Sequence, residues 1–223
     1  MAKGRVEAFS DGVLAILITI MVLGLKVPSG SQVADLAPLA PTVLSYVLSF
    51  ALLGTYWNNH HHLLQASTVV DGRVLWANLH LLFWLSLIPF ATTWMGATTF
   101  APVPTAVYGI VSLASAIAFY GLVHSLVRCR AQAPALAAAI GSDRTGLISP
   151  LLYAIAIPVA LVVPVLAVFV FATVVSIWVV PDLRIERVLE PPTDHPHRAS
   201  APARPNPGAP GRPRGVDSTA FSD

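Results

Sequence analysis

Charge is scarce in this chain. Only 11% of its 223 residues are Asp, Glu, Lys or Arg, 55% are hydrophobic, and the mean hydropathy is +0.70. A soluble domain carries about 25% charged residues, so this balance excludes an ordinary soluble fold and fits a polytopic membrane protein. The formal net charge of +2 is too small to argue for a nucleic-acid partner. A single cysteine, Cys129, excludes an intrachain disulfide and says nothing about redox compartment. Also lacking are a phosphate-binding glycine loop, a paired CxxC, an HExxH zinc-protease motif and a GxSxG elbow. With no recognisable nucleophile–base set, the chain does not read as an enzyme.

What is present is a series of apolar runs. The first, residues 5–25, opens with a polar head of Arg5, Glu7, Ser10 and Asp11 and then carries one hydroxyl, Thr19, as far as Leu25. With its head, this run reaches the length of about 20 residues that a spanning helix needs. Lys3 and Arg5 ahead of an apolar run also suit a signal peptide. Asp11 interrupts the entry, however, and further spans follow, so the run reads as a retained first helix. The breaker cluster at 26–31 separates it from a second span at 38–64, and a polar turn over 65–73 leads to a third at 74–95. An uncharged loop at 96–104 precedes a fourth span at 105–127.

Residues 147–180 are apolar throughout, with Pro158 and Pro164 inside, and are too long for one ordinary span. A split at 162–164 gives two tight helices, each near or below the usual minimum of about 17 residues. One kinked helix is the competing reading, since membrane helices tolerate proline. Basic residues favour the split. In a six-span arrangement Lys3, Arg5, Arg73, Arg128, Arg130, Arg144, Arg184 and Arg187 share one side and Lys26 stands alone on the other. The positive-inside rule then puts both termini in the cytoplasm, whereas five spans would send Arg184 and Arg187 outside. The expected architecture is therefore an all-α, polytopic membrane domain over 1–188 with six transmembrane helices. A Pro/Arg-rich tail follows over 189–223, expected to be disordered and cytoplasmic. From Glu190 its four arginines are balanced by four acids, which is weak ground for lipid binding.

At 100° per residue, Ile16, Ile20 and Leu23 fall on one stripe of the first helix, which Phe9 extends toward the head. Asp11 points about 140° away from Ile16 and must find partners on neighbouring helices. An aliphatic stripe on a membrane helix faces lipid or neighbouring helices by default, and lining a pore is the alternative. At the cytoplasmic end of the second span, Trp57-x-Asn59-His60-His61 suits an interfacial belt. Consecutive histidines point about 100° apart, so His60, His61 and His62 cannot converge on one ion, and no metal site is expected. Trp57 and His61 share a face that could meet Ser10 and Asp11 at the same depth. Asn78, one turn into the third span, reads as interhelical glue or as part of that network.

Several of these residues form a pattern. The run Arg5-x-x-x-Phe9-Ser10-Asp11, followed by Gly12-Val13, Ala15-Ile16 and Thr19, resembles the opening helix of prokaryotic TMEM175-type potassium channels. Trp57-x-Asn59-His60-His61, Leu75-Trp76-x-Asn78-Leu79 and Pro89-Phe90 resemble the family's second and third helices in order. Val180-Pro181-Asp182 closes the last span as in relatives, while His62 stands where relatives often carry arginine. The resemblance implies six helices per subunit and a homotetramer in the plasma membrane whose first helices line one central pore. By matching positions, Ile16, Ile20 and Leu23, with Thr19 beside them, would form the constriction. Arg5, Phe9, Ser10, Asp11, Trp57, His61 and Asn78 would form a polar network at the cytoplasmic side. The implied permeant is potassium, with no cofactor and no partners beyond lipid and further copies of the chain. A proton-conducting channel and a secondary transporter are the alternatives. No TVGYG filter is present, so selectivity would have to come from a hydrophobic constriction.

Overall fold

A computed structural model describes residues 3–67, 69–128 and 144–179; the tail over 189–223 and the Val180-Pro181-Asp182 segment lie outside the described residues. The described residues are helical, without strands, and form six spans. Four of them, Lys3–Gly24, Val33–Gln65, Gly72–Ala97 and Pro102–Val127, are long and apolar enough to cross a membrane, and two shorter apolar helices follow. In a lipid environment a helix satisfies its own backbone hydrogen bonds, which is why apolar run length alone places these elements well.

The first span is α1, Lys3–Ile20, tightened by a 3-10 turn over Met21–Gly24 and ended where Leu25 turns extended. The second opens with a 3-10 turn, Val33–Leu39, capped reciprocally by Gln32 and Asp35, and continues as α2, Ala40–Gln65. Pro41 lies in the first turn of α2, where a missing N–H breaks no helical bond.

The third span differs from the single helix expected over 74–95. It is two helices, α3 over Gly72–Ser86 and α4 over Ile88–Ala97, with Leu87 between them. The cause is Pro89, which cannot donate to the Leu85 carbonyl and whose ring crowds that carbonyl, so the helix restarts one residue earlier. The start of α3 is fixed by Asp71, whose Oδ1 accepts from the Val74 N–H at 2.9 Å. After α4 the chain reverses through Thr99 and Phe100, both with left-handed φ of 52° and 58°.

The fourth span is α5, Pro102–Val127. The fifth and sixth are α6, Arg144–Val162, and α7, Pro164–Val179, separated at Val163. The long apolar run is thus split within 162–164, with Pro164 opening the new helix. At 1.5 Å per residue, α7 spans only about 24 Å, so it sits within a hydrocarbon layer of about 30 Å without tilt to spare.

Helix α5 packs on α3, α4 and α6, and α2 packs on α4, α1 and α7. Small residues permit this. A side chain at Gly109 would press on Phe171 and Ile157 at 3.0 and 3.1 Å, and one at Gly96 would run into Ser45 and lie 2.8 Å from the Thr42 backbone. Because lipid is as apolar as the helices, close packing of this kind, and not hydrophobic burial, holds the bundle. Helix α1 lies at the edge, packed mainly on α2 and α3.

Candidate functional site

Helix α1 has two unlike faces. Val6, Ser10, Leu14 and Leu17, continued by Met21, are buried, and their helical angles fall within about 80° of one another. The opposite edge stays open: Phe9 is 54% exposed, Ile16 62%, Ile20 48% and Leu23 78%. Thr19 is exposed beside them, with its hydroxyl returned to the Ala15 and Ile16 carbonyls at 2.9 and 3.0 Å. In a single chain this aliphatic edge touches no other span closely enough to be buried.

The polar head is held on the other faces by two sets of contacts. The first is a buried relay across three spans. The Ser10 hydroxyl donates to the Val6 carbonyl at 2.8 Å and accepts from Asn78 Nδ2 at 2.9 Å. Asn78 Oδ1 lies 2.7 Å from His60 Nε2, so that nitrogen carries the proton. The direction of donation therefore runs from His60 on α2, through Asn78 on α3, to Ser10 on α1. All three side chains are buried, and among the described residues His60 Nδ1 has no hydrogen-bond partner.

The second set is an antiparallel ladder between α1 and the end of α2. Trp57 Nε1 donates to Asp11 Oδ1 at 3.1 Å. One turn nearer the N-terminus, His61 Nδ1 stands 3.3 Å from Glu7 Oε1, close but outside hydrogen-bond alignment. One further turn on, Lys3 Nζ donates to the Gln65 carbonyl at 3.1 Å. Each rung steps four residues along α1 and four back along α2. The rungs also support each other: Trp57 and His61 stack with ring centroids 5.9 Å apart, and Gln65 Nε2 meets His61 Nε2 at 2.8 Å. Since the amide donates there, the imidazole proton belongs on Nδ1, facing Glu7.

Of the residues singled out from sequence, the structure brings Ser10 to Asn78, Asp11 to Trp57 and His61 against Trp57. Arg5 and Phe9 are exposed and make no hydrogen bond or ion pair among the described residues. Two residues were missed. His60 occupies the centre of the relay, and Glu7 holds the middle rung. The signal for Glu7 was available: it lies four residues before Asp11 as His61 lies four after Trp57. For His60 no such signal existed, because the rotation of α2 decides which histidine faces α3. No group of three metal-ligating side chains occurs among the described residues.

The structure is a bundle of apolar helices with one helix held by a polar head and presenting an unburied aliphatic edge. Comparison with known proteins makes the class specific. The family described as "Endosomal/lysosomal potassium channel TMEM175" matches residues 5–89. A protein of Chryseobacterium sp. (strain P1-3) named a potassium channel is 51% identical over 190 residues, covering 85% of this chain and 99% of the relative. One of Streptomyces collinus, also named a potassium channel, is 37% identical over 134 residues, covering 56% of this chain and 65% of its own length. The crystal structure of a lysosomal potassium-selective channel TMEM175 homolog from Chamaesiphon minutus superposes with a TM-score of 0.71 at 30% identity, covering 82% of this chain and 97% of that one. The chain belongs to the TMEM175 family of membrane channels.

Proposed function

We propose that this protein is a potassium-permeable channel assembled as a homotetramer, with α1 of each subunit lining a central pore. The observation that carries this reading is the two-sidedness of α1, whose aliphatic edge at Ile16, Ile20 and Leu23 stays exposed while its other face is buried in its own subunit. One pore helix per subunit cannot enclose a channel, so a closed ring of copies is required. Potassium as the permeant is supported by the relatives in Chryseobacterium and Streptomyces, which are named potassium channels, and by the Chamaesiphon homolog, which is described as potassium-selective.

In that ring Ile16, Ile20 and Leu23 form stacked constrictions, with Thr19 beside them. Such a constriction gates by dewetting, and the hydration an ion retains in passing sets selectivity. The relay at Ser10, Asn78 and His60 and the ladder at Asp11, Trp57, His61 and Glu7 hold each α1 in place on the cytoplasmic side. Both termini are cytoplasmic and the channel resides in the plasma membrane, in keeping with the sidedness of the basic residues.

The test is potassium flux from purified protein in liposomes, with sodium and proton flux read in parallel. Leu23→Asn and Ile16→Asn are expected to change conductance or selectivity by several-fold, because a polar side chain wets the constriction. Unchanged currents in both variants would remove these residues from the ion route. Saturable, stoichiometrically coupled uptake in place of ohmic flux would replace the channel by a transporter. Native mass spectrometry of the solubilised protein is expected to give four copies.

A further inference from the structure

The two ends of the exposed α1 edge differ in charge. At the end where the chain begins, Lys3 and Arg5 are matched by Glu7 and Asp11 on the same helix. At the other end no such match exists. From Gly12 to Ala34 the one charged residue is Lys26. It follows Leu23 by three residues, just beyond the 3-10 turn Met21–Gly24, where Leu25 turns extended. At no more than about 3.6 Å per residue, it lies within about 11 Å of Leu23. Lys26 is exposed, and among the described residues it makes no hydrogen bond or ion pair. Asp35 is the one acid at this end of the bundle among the described residues, and its carboxylate is taken up locally. Its Oδ2 accepts from the Gln32 N–H at 2.8 Å and closes the cap of the turn that opens the second span. The positive-inside rule favours basic residues on the opposite side. Neither membrane insertion nor a contact among the described residues therefore accounts for Lys26.

We propose that Lys26 sets the supply of cations at the outer mouth of the pore. On the reading of α1 as the pore helix, on which this rests, four copies place four Lys26 ammonium groups in a ring just beyond Leu23. A positive ring lowers the local concentration of a permeant cation, by the same kind of field that raises it where a mouth is lined with acids. Four unit charges about 10 Å from the axis lower it about sevenfold where the Debye length is about 30 Å, and by only about a tenth where it is about 3 Å. The unbalanced charge stands at one mouth only, because the head at the other end carries equal numbers of acids and bases. Potassium thus enters from outside against the ring and from the cytoplasm without it. In dilute salt the channel passes current outward more readily than inward.

The experiment records single channels of the full-length protein in planar bilayers, in symmetrical potassium chloride at about 10 mM and about 1 M, where the Debye length is about 30 Å and about 3 Å. Lys26→Gln is expected to raise inward conductance about threefold or more in the dilute solution, and Lys26→Glu to raise it further and reverse the rectification. At about 1 M the parent and both variants are expected to agree within about a quarter. The outer face is identified with Lys26→Cys in a Cys129→Ser background, treated from one side with a membrane-impermeant methanethiosulfonate. An anionic adduct is expected to give a larger inward conductance than a cationic one. Inward conductances of both charge variants equal to the parent's in dilute salt would put Lys26 off the ion route and overturn the proposal. Changes that persist undiminished at high salt would make its role conformational, with the same consequence. Leu23→Asn in the same bilayers separates this from the pore reading. Altered currents there, with unaltered currents in both Lys26 variants, overturn the ring and leave the pore; no response in Leu23→Asn and Ile16→Asn overturns both.

Discussion

Replacing Asn78 by alanine removes the middle of a three-span relay, and the structure sets the scale of the loss. Two interhelical hydrogen bonds disappear, at 2.7 Å to His60 and 2.9 Å to Ser10. In membrane bundles such bonds contribute on average about 0.6 kcal/mol and up to about 1.7 kcal/mol each. His60 suffers more than a lost bond. Among the described residues its Nδ1 already has no partner, so without Asn78 neither ring nitrogen is satisfied in a buried position. Leaving one more buried polar group unpaired costs about 1–3 kcal/mol. The sum for Asn78→Ala is about 2–6 kcal/mol. Ser10→Ala removes only one interhelical bond, because the other bond of Ser10 stays within α1 to the Val6 carbonyl. With the buried Asn78 Nδ2 then left without its acceptor, it is expected to cost about 1–3 kcal/mol, less than Asn78→Ala. Reversible unfolding in mixed detergent and lipid micelles measures both, and the double variant gives their coupling, expected at about 0.5–1.5 kcal/mol. Equal destabilisation by the two single variants, or strict additivity in the pair, would refute the relay as drawn.

The remaining predictions concern other contacts of the same bundle. Gly96→Ala forces apart the backbones of α2 and α4 at Ser45 and Thr42 and is expected to destabilise by about 1–3 kcal/mol. Gly121→Ala, which meets open space, is the control, expected to be neutral or stabilising by up to about 1 kcal/mol in the same unfolding assay. Trp57→Phe keeps a ring against His61 but removes the donor to Asp11, so its effect on stability and that of Asp11→Ala are expected to be non-additive; additive losses would separate the two residues. Trp57→Phe is also expected to shift channel opening in bilayer recordings in the same direction as Asp11→Ala.

Much of the fold was legible in the sequence because a membrane leaves few options. Each apolar run of spanning length had to be a helix, and Pro164 together with the sidedness of the arginines fixed where the last run divides. Pro89 acted by the same chemistry, yet its break at Leu87 was not foreseen, since proline inside a membrane span is often absorbed as a kink. The site was legible where a buried polar group demanded a partner at known depth. Ser10 and Asp11 needed donors, and Asn78 and Trp57 were the ones at the right end of the next two spans. Which histidine would join them was not legible. His60 and His61 differ by 100° about the helix axis, and only the packing of α2 against both α1 and α3 decides that one meets Asn78 and the other Glu7.

The value of the α1 head lies in register more than in energy. The ladder rungs on Asp11 and Glu7 are partly exposed, and bonds of that kind contribute little individually. Three rungs at a spacing of four residues, however, fit only one alignment of α1 against α2. A slip of one residue would turn α1 by about 100° relative to its neighbours and would place Leu17 where Ile16 now stands. The buried stripe of Leu14 and Leu17 would then lose its fit, and Ser10 would leave Asn78 without an acceptor. Beyond α1, in the 3-10 turn, Gly24 lies so close to Thr93 that an added Cβ would sit 2.8 Å from its hydroxyl. A helix held in one register by its head presents the same aliphatic edge in every copy. In the proposed tetramer this shared register lets the four copies of α1 build one reproducible constriction.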